Sequence, residues 1–188
     1  MDGLKETKMG DQTCRAICRE MLKPGDHICT ERWNGLYYHH GIYVGDDLVI
    51  HVNGPRKRSA YSSTKMKSSS SASSLYHDTC QNNGCQKGFN CGTIKTCLDC
   101  FLDGHSLYVY DYECSIVRRY VKQNGGCIKS PEEVIELATS KLQRKDFCAG
   151  YNLLVSNCEH FATLCKTGLA FSMQSIILTA KTVAFLTK

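Results

Sequence analysis

Two groups of residues in this chain have the types and spacing that do chemistry. The first is centred on Cys158, in Asn157-Cys158-Glu159-His160-Phe161, where the pattern predicts the start of a helix. Unpaired backbone N–H groups and the helix dipole stabilise a thiolate at such a position. A nucleophilic thiol also needs a base beside it, for which His39 is the natural candidate, with His51 placed to orient and polarise it as the third member of a triad-like set. The second group is Cys80-x4-Cys85 and Cys97-x2-Cys100, joined by a segment holding Gly88, Cys91 and Gly92. Two thiolate pairs across a glycine-containing loop suit a structural, tetrahedral zinc site. Reduced buried or surface thiols are the plain alternative, and Cys91 leaves the ligand set open.

The elements that position the histidines can be derived from parity. Leu36 to Val44 and Leu48 to Val52 are rich in β-branched and aromatic residues and are separated by Gly45-Asp46-Asp47, which predicts a hairpin. Ile42 and Val44, and Leu48, Ile50 and Val52, are all even-numbered. Both sets face one core only if paired residues sum to an even number. A three-residue loop that pairs Val44 with Leu48 does this, and then pairs Gly41 with His51 and His39 with Asn53. His39 and His51 are then diagonal neighbours on the face opposite the core, with Gly41 leaving room between them. His40 faces the core and reads as structural. Strand histidines without a role are the competing explanation for the pair.

Around this hairpin the elements read as follows. A short helix is expected around Cys14 to Leu22, and a turn at Pro24-Gly25-Asp26. Ser106 to Tyr112 reads as a strand. Ser130-Pro131-Glu132-Glu133 starts a helix with Val134, Leu137, Ala138 and Leu142 on one side, running to roughly Lys145. Tyr151 to Val155 is a short extended lead-in. Asn157 then caps a helix from Cys158 to about Lys166, stopped by Gly168.

Composition sets the class. The chain has 188 residues, of which 42% are hydrophobic and 22% charged, so wholesale disorder is excluded. The net charge of +5 permits attraction to an anionic surface and does not argue for nucleic acid. Met1 to Glu20 has no apolar core of a signal peptide, so the 13 cysteines are expected to be reduced in a cytosol-facing protein. Residues 56–79 are basic and then serine-rich, and read as a flexible surface insertion.

His39-His40-Gly41-Ile42-Tyr43-Val44-Gly45, the Val49-Ile50-His51 strand and Asn157-Cys158-Glu159-His160-Phe161-Ala162 together resemble the lecithin:retinol acyltransferase-like family. Pro24-Gly25-Asp26-His27 and Tyr151-Asn152-Leu153-Leu154 extend the likeness over about residues 24–168, apart from the insertion. CLDCFLDG and CKTG resemble the plant branch. The resemblance implies an α+β fold, a permuted papain-like domain with an antiparallel sheet packed against helices and the nucleophile at a helix N-terminus. It also implies Cys158 as nucleophile, His39 as general base and acid, and His51 as third member, with no cofactor for catalysis. The implied activity is that of a phospholipid acyltransferase or phospholipase A1/A2. His160 matches the motif too, and is read as anchoring the helix.

The expected organisation is therefore a lead-in over 1–23, the domain over 24–168 with the 56–79 insertion and the cysteine-rich 80–100, and an apolar segment over 169–188. Leu169 to Leu186 fits a membrane-lying or spanning anchor, although Lys181 near its centre would cost about 2.5–3.5 kcal/mol on insertion. A helix packed on the domain or on a protein partner fits as well. The expected partner is a phospholipid membrane surface. A non-catalytic adaptor of the same fold, and a cysteine protease or deacylase, are the rival functions.

Overall fold

The computed structural model describes residues 13–33, 35–54, 80, 85–86, 92–144 and 156–186. The histidine hairpin forms β3 (Tyr37–Gly45) and β4 (Leu48–Asn53), and Gly41 pairs with His51 as parity requires. The turn itself differs from expectation. Gly45, not Val44, pairs with Leu48, and the register shifts between Tyr43 and Gly45. Asp46 and Asp47 are both left-handed (φ 50° and 55°), the geometry of a two-residue primed turn, whose twist matches the strands it joins. The bulge beside Gly45 (φ 95°) absorbs one residue, which preserves the parity of everything beyond it.

The hairpin lies inside a six-stranded antiparallel sheet of order β1-β6-β2-β3-β4-β5, completed by β1 (Cys14–Ala16), β2 (His27–Arg32), β5 (Gly92–Cys97) and β6 (Leu107–Tyr110). The fold class is α+β, with the histidine strands preceding the cysteine helix in the chain as the papain-like permutation requires. In place of a helix around Cys14, residues 14–16 pair with Tyr108–Tyr110, and a single 3-10 turn follows at Arg19–Met21. A free sheet edge outweighs the local helical preference of so short a stretch. The segment read only as cysteine-dense contains β5 and α1 (Leu98–Leu102), and α2 (Ser115–Gln123) was not anticipated. The helix predicted from Ser130 is α3 (Pro131–Arg144), entered through a capping box in which Glu133 N–H donates to Ser130 Oγ and Ser130 N–H to Glu133 Oε2. The insertion 56–79, Cys91 and the Tyr151–Val155 lead-in lie outside the described residues.

Both sheet faces are covered. On one, Ile42, Ile50 and Val52 pack against Val134 and Ala138 of α3 and Phe161 of α4 (Cys158–Thr167). On the other, Ile28 and Val49 pack against Leu98 and Phe101. This second layer corrects the expectation that the histidine face is a non-core surface: His39 is 9% exposed and His51 3%. A third cluster joins Val117 and Val121 of α2 to Phe171 and Met173, which lead into α5 (Met173–Leu186). Among the described residues, no buried side-chain nitrogen or oxygen lacks a hydrogen-bond partner.

Gly41 is the position where a side chain has no room. A Cβ there would stand 2.7 Å from Val49 Cγ1, 3.0 Å from Phe101 Cε2 and 3.1 Å from His51 Cβ. Gly41→Ala should therefore lower the unfolding free energy by about 1–3 kcal/mol. Urea denaturation measures it; a change under about 0.5 kcal/mol would mean the two faces are not in this close contact.

Candidate active site

The start of α4 is built by its own sequence. The Asn157 side chain accepts from the N–H groups of Glu159 (2.9 Å) and His160 (3.1 Å), and the His160 side chain closes the capping box onto the Asn157 backbone. His160 thus anchors the helix, as expected. The αL residue Gly168 ends it. This places Cys158 at the first helical position, fully buried, with Sγ 3.8 Å from the Tyr37 hydroxyl and 3.9 Å from the Tyr38 carbonyl.

The three residues picked out by sequence are joined through Tyr37, with Thr96 at the far end. His39 Nε2 lies 2.9 Å from His51 Nδ1, and His51 Nε2 lies 3.0 Å from Thr96 Oγ1. His39 Nδ1 lies 3.1 Å from the Tyr37 hydroxyl, the same hydroxyl that faces Cys158. Thr96, His51, His39, Tyr37 and Cys158 form one continuous run. Phe101 packs against both imidazoles at ring-centroid distances of 5.2 and 5.3 Å. Sequence reasoning missed Tyr37 and Thr96. Tyr37 had a signal, since it lies two residues before His39 and so on the same strand face. Thr96 becomes visible only once β5 is recognised, because it sits diagonal to His51 across the β4–β5 ladder.

Burial dominates the electrostatics. It pushes the Cys158 thiol up to about 11, against hydrogen bonds from the His40 backbone and the Tyr37 side chain that favour the thiolate. The expected lowering of the thiol by the helix terminus is thus outweighed by desolvation. Burial also drives His51 down to about 3, with the Arg32 charge adding to the effect. His39 is held well below the ordinary histidine value by burial, then by His51 and Arg32. At neutral pH the site is a neutral thiol beside two neutral imidazoles.

A second buried histidine pair supports the first. Gln174 Nε2 donates to His40 Nε2 (2.8 Å), His40 Nδ1 lies 2.9 Å from His27 Nε2, and His27 Nδ1 lies 2.8 Å from the Tyr112 hydroxyl. His40 is thus core-facing and structural as read, and His27 is its buried partner. Glu159, fully buried, accepts from Tyr110 Oη, Ser172 Oγ, the backbone N–H groups of Met173 and Gln174, and Gln174 Nε2. One carboxylate therefore ties the start of α5 to the residue beside Cys158.

Away from this run, Cys80, Cys85, Cys97 and Cys100 can hold a metal ion, with ligand atoms all within 4.8 Å of one another. Cys97 also caps α1. Among the described residues, no helix is long and apolar enough to cross a membrane.

The buried histidines tie stability to pH. Their folded pKa values lie below 6.5, so the unfolded chain binds more protons as pH falls, and stability present above pH 6.5 is lost on the way down, to about pH 4 for His40 and about pH 3 for His51. Each contributes about 1.4 kcal/mol per pH unit in that window. Urea midpoints measured from pH 7 to 4.5 should drop steeply, and less steeply in His51→Gln. A flat profile would contradict neutral burial of the imidazoles.

The family model for lecithin retinol acyltransferase matches residues 20–171, a span that contains the hairpin, the four clustered cysteines and α4. Protein LEAD-SENSITIVE 1 of Arabidopsis thaliana is 36% identical over 164 residues, covering 81% of this chain and 60% of that protein. The chain thus spans about 60% of the length of the curated relative it matches, a plant protein in keeping with the resemblance of CLDCFLDG and CKTG to the plant branch. From the paired histidines, the capped cysteine and the match over 20–171, the chain belongs to the lecithin retinol acyltransferase family.

Proposed function

We propose that the chain is a thiol-dependent phospholipid acyl hydrolase or acyltransferase that carries the acyl group as a thioester on Cys158. The observation that supports this is the run from Thr96 through His51, His39 and Tyr37 to Cys158. A neutral imidazole has one donor and one acceptor nitrogen. With His51 Nε2–H donating to Thr96, His51 Nδ1 must accept from His39 Nε2–H. His39 Nδ1 is then left as the lone-pair nitrogen on the thiol side, in the tautomer a general base needs.

A thiol pushed up to about 11 is not ionised beforehand, so as Sγ attacks the ester carbonyl its proton passes to the Tyr37 oxygen while the Tyr37 O–H proton passes to His39 Nδ1. The tetrahedral oxyanion collapses, the carbon–oxygen ester bond breaks, and the His39 imidazolium protonates the departing lysophospholipid. Water, an amine, an alcohol or another lysolipid then attacks the thioester, again with His39 as base, and the thiol is regenerated. The Tyr37 hydroxyl, which touches both base and thiol, keeps the imidazole aimed and relays the proton between them.

A lipid substrate requires the site to meet a membrane. Trp33 and Leu36, 71% and 72% exposed, form the tip of the β2–β3 connection, and the Trp33 ring rests 5.8 Å from that of Tyr37. Hydrogen bonds from Arg32 to the carbonyls of Phe101 and Leu102 brace the base of this tip. The proposal places the tip in the lipid headgroup region, in a cytosol-facing protein bound peripherally, with the net charge of +5 assisting on anionic lipid. The 14-residue α5, with Ile176, Leu178 and Val183 exposed, is suited to lie on the surface.

Full burial of Cys158 favours one second reading, an adaptor on the same fold that performs no acyl chemistry. Release of fatty acid and lysophospholipid from vesicles decides between them. The enzyme reading expects release by the native chain, none by Cys158→Ala, and about 10²-fold less by Tyr37→Phe, which loses the proton relay; absence of release across neutral and anionic vesicles supports the adaptor. For the membrane contact, Trp33→Ala/Leu36→Ala should weaken co-sedimentation with vesicles about 10-fold at unchanged far-UV circular dichroism. Unaltered sedimentation would remove the tip from the proposal.

A further inference from the structure

We infer that Cys80, Cys85, Cys97 and Cys100 form a tetrahedral tetrathiolate site for one structural Zn²⁺ ion that pins the chain leaving the insertion to the β5–α1 corner. Four sulfurs at about 2.3 Å from a zinc ion stand about 3.8 Å apart along the edges of the tetrahedron. Cys80 Sγ and Cys97 Sγ are 3.7 Å apart, and all four ligand atoms fall within 4.8 Å of one another. A disulfide needs a sulfur–sulfur distance of about 2.05 Å, so this geometry is that of ligands around a shared centre and not of an oxidised pair.

The backbone is arranged for thiolates. Cys97 N–H donates to Cys85 Sγ (3.3 Å), and Cys100 N–H donates to Cys97 Sγ (3.5 Å) from the first turn of α1. Such N–H···S bonds offset the net −2 charge of a zinc tetrathiolate. Gln86, next to Cys85, is fixed to β5 twice: its N–H donates to the Lys95 carbonyl (2.7 Å) and its side-chain oxygen accepts from Lys95 N–H (3.0 Å). Cys85 is thereby held against Cys97 and Cys100, and Cys80 meets them through its sulfur, 3.7 Å from Cys97 Sγ. Binding exchanges four thiol protons for the metal, with no oxidant or reductant involved. Thiolate ligands in a tetrahedral cage select zinc over magnesium and calcium, which require oxygen.

The site adjoins the candidate active site without being part of it. Cys97 follows Thr96, the partner of His51 Nε2, so the metal clamps the end of the strand that orients the histidine pair. Its loss should loosen β5 and lower the thermal midpoint.

The test uses the full chain, purified under reducing conditions and reconstituted with Zn²⁺ or Co²⁺. The expected results are one zinc per chain by mass spectrometry of the native protein, and intense thiolate-to-cobalt charge transfer with tetrahedral ligand-field bands. Cys80→Ser and Cys85→Ser, both only half-buried, should weaken zinc binding at least 10-fold in competition with a chromophoric chelator, while Cys91→Ser and Cys127→Ser bind as the native chain does. The native cobalt spectrum tests the site independently of how well any variant folds. Failure of the native chain to take up either metal, or full retention of zinc by Cys80→Ser and Cys85→Ser, would overturn the site. Neither result depends on acyl chemistry, so the two proposals stand or fall separately.

Discussion

The 2.9 Å hydrogen bond between His39 Nε2 and His51 Nδ1 lies in a sheet face sealed by Phe101, and the site is organised around keeping both rings there uncharged. Water cannot solvate an imidazolium at this depth, and the Arg32 charge opposes one further. Two neutral rings in contact must share a single proton between the facing nitrogens. The partner at each end of the pair, Thr96 or Tyr37, therefore governs which tautomer prevails. Gly41 lets the rings and Phe101 approach closely, since a methyl group there would collide with Val49, Phe101 and His51 together.

The same dryness sets the character of the thiol. At the exposed start of a helix, Cys158 would gain from the N-terminal N–H groups; buried beneath Tyr37 and Tyr38, it is held protonated. Thiol and imidazoles then rest uncharged, and in the proposed reaction their ionisation accompanies attack. Around them the polar groups are satisfied by neighbours fixed in place. Glu159 is surrounded by donors from α5 and from Tyr110, and His40 is linked to His27 and Gln174. Moving one member leaves a buried polar group without its partner, the costly outcome in a low-dielectric interior.

What could be read from sequence was what short-range patterns encode. Parity along β3 and β4 gave the Gly41–His51 pairing because a bulge at Gly45 and a two-residue turn together preserve the parity of a three-residue loop. Asn157, Ser130 and Gly168 marked helix ends because capping is local. The family resemblance rested on the residues of that hairpin and of α4, and it carried the fold class. Hidden from sequence were features that arise when distant segments meet. β1 exists because β6 offers an edge, and β5 was masked by the cysteines that crowd its far end. Neither the second apolar layer nor the raised thiol follows from residues near Cys158 in the chain; both come from α1, Tyr37 and Tyr38 closing over the site.

The claim on which the functional account turns is that Cys158, and no other of the 13 thiols, bonds covalently to an acyl chain. Mass mapping of peptides from the protein quenched at acidic pH during exposure to phosphatidylcholine vesicles tests it directly. The account expects one fatty-acyl mass on the Cys158 peptide, removed by hydroxylamine and absent in His39→Ala. Acyl groups spread over exposed cysteines such as Cys18 and Cys127, or an unmodified Cys158 peptide while fatty acid is being released, would contradict it.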